Sequence, residues 1–281
     1  MHHAQCMRWM SSARHVFLLS CFLLLASVNG WAANLAFDLF ESAKVHFEMR
    51  EDISRVDLAL IELETAEQMT SDADLKYDIL ILSSRTYYWR GLHESDKNIR
   101  KETFSAGMQK AEAAKKLNDD FAEAYYYAGI NLARWAETNG MVASLGKKGE
   151  FIANMEGAIN RRTRQGEDGE SIDGYGPRRT LGRMYKKLPG IFGGSREKSL
   201  NELEYAVENT NRAGKKVVLN VVFLADTLLD RGSQAERNRA HQLLREISLE
   251  DPADLMNPSY IPENKEDLKF VRDLLAGKNI P

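Results

Sequence analysis

Gly174–Val207, GYGPRRTLGRMYKKLPGIFGGSREKSLNELEYAV, decides the fold. It reads as two helices joined by a Pro/Gly-rich turn. The first helix carries Leu181, Gly182 and Tyr185, and the second carries Ser199, Leu203 and Ala206. Small residues let two helices approach closely while Leu or Tyr fills the space beside them, which is the pattern of a tetratricopeptide helix hairpin. Gly193-Gly194-Ser195 then reads as a tight turn setting the angle between helices, since a phosphate cradle would follow a strand and none precedes it.

Working outward, the same alternation recurs. No proline precedes Pro177, apolar spacing is helical throughout 33–176, and nowhere does period-2 alternation persist. The spacing predicts helices over Leu35–Met49, Asp52–Met69, Asp74–Gly91, Lys101–Leu117, Phe121–Thr138 and Gly149–Thr163, then a polar loop over 164–174. Beyond the opening stretch it predicts Val217–Gly232, Gln234–Ile247 and a capping helix over 263–276. From Ser84 to Gly129, Gly182 and Ala225 the steps are 45, 53 and 43 residues. All exceed the ~34-residue tetratricopeptide period, so the repeats are divergent. The expected fold is all-α: a tetratricopeptide-like array of four to five helical hairpins with a concave face, spanning 33–281.

Residues 1–32 differ from the rest. Arg8 and Arg14 precede the apolar run Val16–Ala26, and Gly30-Trp31-Ala32 offers a small-x-small cleavage site. This reads as a secretory signal peptide, with an uncleaved anchor as the alternative and Leu18-Leu19-Ser20-Cys21 a poor lipoprotein box. Cleavage removes both cysteines, Cys6 and Cys21, which excludes disulfides and thiolate chemistry from the remainder. It also removes two of 38 basic residues and none of 41 acidic ones, leaving a net charge of −5. The expected location is periplasmic, with no stable membrane span after cleavage. Neither charge nor basic runs suggest nucleic acid.

No G-x-S-x-G, H-E-x-x-H, Walker loop or G-x-G-x-x-G occurs, so no enzyme and no cofactor are expected. His46, His93 and His241 fall on separate hairpins, which gives no metal site. Aromatic clusters are more informative. In a tetratricopeptide register Tyr87 and Tyr125 face the partner helix, while Tyr88, Trp89, Tyr126 and Tyr127 fall on or beside the concave face. The same register brings Arg85, Arg179, Arg183, Lys187 and Asp226 to that face. Asn131 and Trp135 follow Tyr127 by four and eight residues and extend it. Aromatics with arginines suit a peptide, a carboxylate or an amphiphile; the alternative is that the rings seal adjacent hairpins and the arginines cap helix ends.

Tyr126-Tyr127-Ala128-Gly129-Ile130-Asn131-Leu132-Ala133-Arg134-Trp135-Ala136-Glu137, Gly176–Tyr185, Leu188-Pro189 and Gly193-Gly194-Ser195 resemble the TatT-type component of TRAP transporters and related exported tetratricopeptide proteins. The resemblance runs from about Leu75 to Leu275. It implies an extracytoplasmic all-helical binding or scaffold protein, with a solute-binding protein or a small apolar anion as partner, and leaves oligomerisation open. The alternative is a structural or assembly factor for a cell-envelope complex. A third reading, a hydrolase using Asp226, has no motif behind it.

Overall fold

A computed structural model describes residues 33–256 and 258–280; the expected signal peptide with its expected cleavage site, and both cysteines, lie outside them. Regular structure among the described residues is helical. The α-helices are α1 (33–48), α2 (Ile53–Met69), α3 (Ala73–Leu92), α4 (Lys97–Leu117), α5 (Ala122–Asn139), α6 (Met141–Ile159), α7 (Ile172–Lys187), α8 (Arg196–Arg212), α9 (Val218–Leu229), α10 (Gln234–Ser248) and α11 (Ile261–Leu275). Two isolated β-bridges, Phe121–Arg162 and Arg162–Asp168, fasten the turn after α6.

Helix starts are set by local chemistry. Asp52, Asp72, Asp96 and Ser195 each accept a hydrogen bond from the first-turn backbone. Ser233 and Glu236 form a reciprocal capping box at α10. α4 starts four residues before the expected Lys101, α6 ends four residues before Thr163 and α9 ends three residues before Gly232, and two differences are larger. α6 begins at Met141, eight residues before Gly149, because Gly140 (φ 96°) ends α5 and α6 restarts at once. Gly146 and Gly149 weaken the helical pattern there but cost it only modestly. The 164–174 segment is not a free loop. Arg164 lies over the rings of Tyr77 and Phe121 and pairs with Asp74 and Asp78. A 3₁₀ turn at Gly169–Ser171 then leads directly into α7.

Every helix from α2 onward packs on its chain neighbour. In addition α3, α5, α7, α9 and α11 each touch the next member of that series, so they form an inner layer with α4, α6, α8 and α10 behind it. Small residues make the close approaches. A Cβ on Gly182 would lie 2.6 Å from Leu203 Cγ, across the α7–α8 hairpin that the opening stretch encodes. Apolar clusters are strung along the array. One joins α8–α11 around Leu203, Val222, Leu224 and Leu244; another joins α4–α7 around Tyr126, Leu132 and Met155. Each fully buried Leu contributes about 1.5–3 kcal/mol.

The chain's last helix returns to its first ones. Arg50, fully buried in the α1–α2 turn, pairs through Nε and Nη2 with both carboxylate oxygens of Glu263 and donates through Nη2 to Ser259 O and through Nη1 to Phe47 O. His93 Nε2 meets Glu266 Oε1 at 2.7 Å, and Lys265 pairs with Glu51. Helices some 210 residues apart in sequence thus close on one another. That closure turns an inner face into a cavity wall.

Candidate functional site

A cavity of about 730 Å³ lies against the inner layer. α3, α5, α7, α9 and α11 all contribute to its wall, joined by Arg100 and Phe104 of α4. This volume lies within the usual range for small-molecule sites, about 300–1,000 Å³. Its apolar surface comes from Phe47, Tyr88, Trp89, Phe104, Ile130, Phe223 and Phe270.

One wall is built on a left-handed turn. Asp173, Gly174 and Tyr175 have φ of 52°, 61° and 63° at the start of α7. Left-handed backbone costs about 1–2 kcal/mol per non-glycine residue, so the surroundings must over-determine it. They do. Arg179 donates to Asp173 Oδ2 at 2.5 Å, Asp173 O at 2.9 Å and Asn220 Oδ1 at 3.0 Å, while Asn220 Nδ2 donates to Gly174 O at 2.9 Å. Tyr126 donates to Asp173 Oδ2 at 2.6 Å, and Tyr260 is hydrogen-bonded to the same carboxylate. Gly176 completes the fit, because a Cβ there would lie 2.4 Å from Tyr126 Oη. Burial, followed by the Asp173 charge, raises the Tyr126 and Tyr260 phenols well above their ordinary range, so both remain donors.

Most charges of the wall are already satisfied. Arg179 pairs with Asp173, Arg183 with Asp226, Arg134 with Glu137, and Glu266 with His93. The Glu266 bond raises His93 above its usual pKa. Lys187 is exposed and Arg100 donates to Glu94 O; two less exposed groups, Arg85 and Asp267, have no ionic partner among the described residues. Arg85 lies between the rings of Phe47 and Tyr260, at 4.8 and 5.4 Å, and its Nη2 is buried with no hydrogen-bond partner. Asp267 on α11 borders the cavity and forms no hydrogen bond or ion pair among the described residues. Burial, opposed by Arg179 and reinforced by Glu263 and Asp173, pushes its carboxyl up to about 8.

The expected concave-face residues divide into two groups. Arg85, Tyr88, Trp89, Tyr126, Tyr127, Arg179 and Arg183 come together in the cavity wall, and Lys187 joins them. Asn131, Trp135 and Asp226 do not. Asn131 is fully buried among α3, α4 and α5, donating to Tyr127 O, Ser84 O and Ser84 Oγ. Its Oδ1 sits where a Cβ on Gly107 would be, so it locks helices rather than facing the cavity. Trp135 packs on the apolar cluster that joins α4–α7. Asp226 ties α9 to α7 through Arg183 and Lys186, at 2.6 and 2.5 Å. On α5 the wall continues through Ile130, Arg134 and Glu137, three, seven and ten residues after Tyr127, which leaves the positions four and eight residues after it turned toward neighbouring helices.

Sequence reading missed Arg50, Asp173, Tyr260, Glu263 and Asp267. Asp173 sat in the supposed loop, where Gly174-Tyr175-Gly176-Pro177 was the available signal of a forced backbone. The α11 residues were invisible because nothing local says that the last helix turns back on the first. Comparison with models of known protein families and with curated proteins finds no match to this chain.

Proposed function

We propose that this chain is an extracytoplasmic, non-enzymatic binding protein of the tetratricopeptide-like superhelical type, whose cavity takes a small molecule with an anionic group and an apolar body. The observation that carries the reading is the Arg85 guanidinium, walled by aromatic rings beside a cavity of about 730 Å³ and lacking a hydrogen-bond partner at Nη2. A buried guanidinium N–H without a partner is costly, and a ligand oxyanion offsets that cost. Export is supported by the leader-like residues 1–32 and by the absence of cysteine beyond them. No helix among the described residues is long and apolar enough to cross a membrane. A role accessory to TRAP-type solute uptake, handing ligand to a solute-binding protein, follows from the motif resemblance.

The test is thermal unfolding of the full chain with decanoate or hydrocinnamate. A ligand at a hundredfold excess over its Kd stabilises by about 2.7 kcal/mol, which for a domain of this size raises Tm by about 5–10 °C. No shift with either acid at saturating concentration counts against the reading. Exposure of Leu58 and Ile61, 43% and 62%, one turn apart on α2, favours the second reading, an assembly factor that docks through its outer face. That reading expects envelope proteins to co-purify whether or not the cavity is blocked.

A further inference from the structure

Charge accounting around the cavity points beyond a simple anion. Arg179, Arg183, Arg134, Glu263 and Glu266 each have an ionic partner within the fold. Arg100 donates to Glu94 O, and Lys187 is exposed. The two groups left over have opposite sign: Arg85 on α3 and Asp267 on α11. Both line the same cavity. Between and around them the wall is apolar, including Tyr88, Phe104 and Phe270.

We propose that the cavity binds an apolar zwitterion, with the chemistry of a hydrophobic amino acid: its carboxylate on Arg85, its ammonium on Asp267 and its side chain against the aromatic wall. This deepens the binding reading above and rests on it. Each pole answers a group the fold leaves unpaired. A ligand with both poles brings no net charge into a low-dielectric site and gives each group a partner, whereas a simple acid leaves the Asp267 carboxyl without a hydrogen-bond partner and a simple amine leaves the Arg85 guanidinium without one. The raised Asp267 carboxyl adds a signature. It is protonated when the site is vacant at neutral pH, and an arriving ammonium ionises it, so binding releases a proton.

The experiment is isothermal titration calorimetry on the full chain with leucine and phenylalanine. Each is compared with its deaminated acid (isocaproate, hydrocinnamate) and its decarboxylated amine (isoamylamine, phenethylamine). At least one amino acid is expected to bind about tenfold or more tighter than either analogue, a difference of about 1.4 kcal/mol. Repeating the titration at pH 7 in buffers of different ionisation heat is expected to show net proton release with the amino acid and none with its deaminated acid. Asp267→Asn is expected to erase the advantage over the acid, and Arg85→Gln the advantage over the amine. Both variants are checked for an unchanged helical spectrum. If neither amino acid outbinds its deaminated acid, the zwitterion proposal is overturned. In that case binding of the acid alone leaves the broader reading standing, and binding of none of the six overturns both.

Discussion

Removing the Arg50 guanidinium should open the molecule. Arg50 is 0% exposed, and its side chain donates to both Glu263 oxygens, to Ser259 O and to Phe47 O. Its guanidinium also stacks 4.7 Å from Phe47 and 5.3 Å from Trp89. Arg50→Met keeps the volume and stem but leaves Glu263, with only 26% of its side chain exposed, without its counter-charge. Breaking a buried pair from one side costs about 3–5 kcal/mol. Urea unfolding followed by tryptophan fluorescence measures the loss as a fall in midpoint. Hydrogen exchange locates it: amides of α11 should lose protection while those of α4–α6 keep theirs. Glu263→Gln completes a double-mutant cycle, in which the two changes should be strongly non-additive. A loss under about 1 kcal/mol, or unchanged α11 protection, would refute the view that this contact closes the array.

Three further expectations follow from the same geometry. Asp173→Asn keeps a residue that tolerates left-handed backbone but removes the charge facing Arg179; it should cost about 1.5–3 kcal/mol in urea unfolding. Gly182→Ala drives a methyl against Leu203 at the α7–α8 crossing and should cost about 1–3 kcal/mol, whereas Gly146→Ala, with open space around its Cβ position, should be neutral or stabilising. The folded Asp267 carboxyl titrates near 8 and the unfolded one near its ordinary value of about 4, so between those values the folded state holds a proton the unfolded state has released. Stability therefore falls as pH rises through that window, and Asp267→Asn should be less pH-sensitive than the wild type when urea midpoints at about pH 5 and pH 9 are compared. His93, raised by Glu266, has the same sign near neutrality in both proteins, so the difference between them isolates Asp267.

The helical register was legible because it rests on short-range chemistry. Leu181, Gly182 and Leu203 announce a close helix pair from spacing alone, and Gly182 does meet Leu203. Eight of the eleven residues expected on or beside a concave face line one cavity, since inward-facing positions of successive hairpins share a side. What remained hidden is long-range. Asp173 becomes central only because Arg179, Tyr126 and Tyr260 converge on it from three helices. Nothing local marks Arg50 out; it matters because α11, more than two hundred positions later, folds over it. Asn131 shows the opposite error. Its position on the Tyr127 face was read correctly as a spacing, but Ser84 and Gly107 claim the side chain for the helix interface.

Native mass spectrometry of the full chain, isolated without denaturation beside Arg85→Gln, tests the central claim most directly. The account predicts a small-molecule adduct on the wild type that the variant lacks. Unliganded mass in both proteins, or an adduct retained equally by Arg85→Gln, would contradict it.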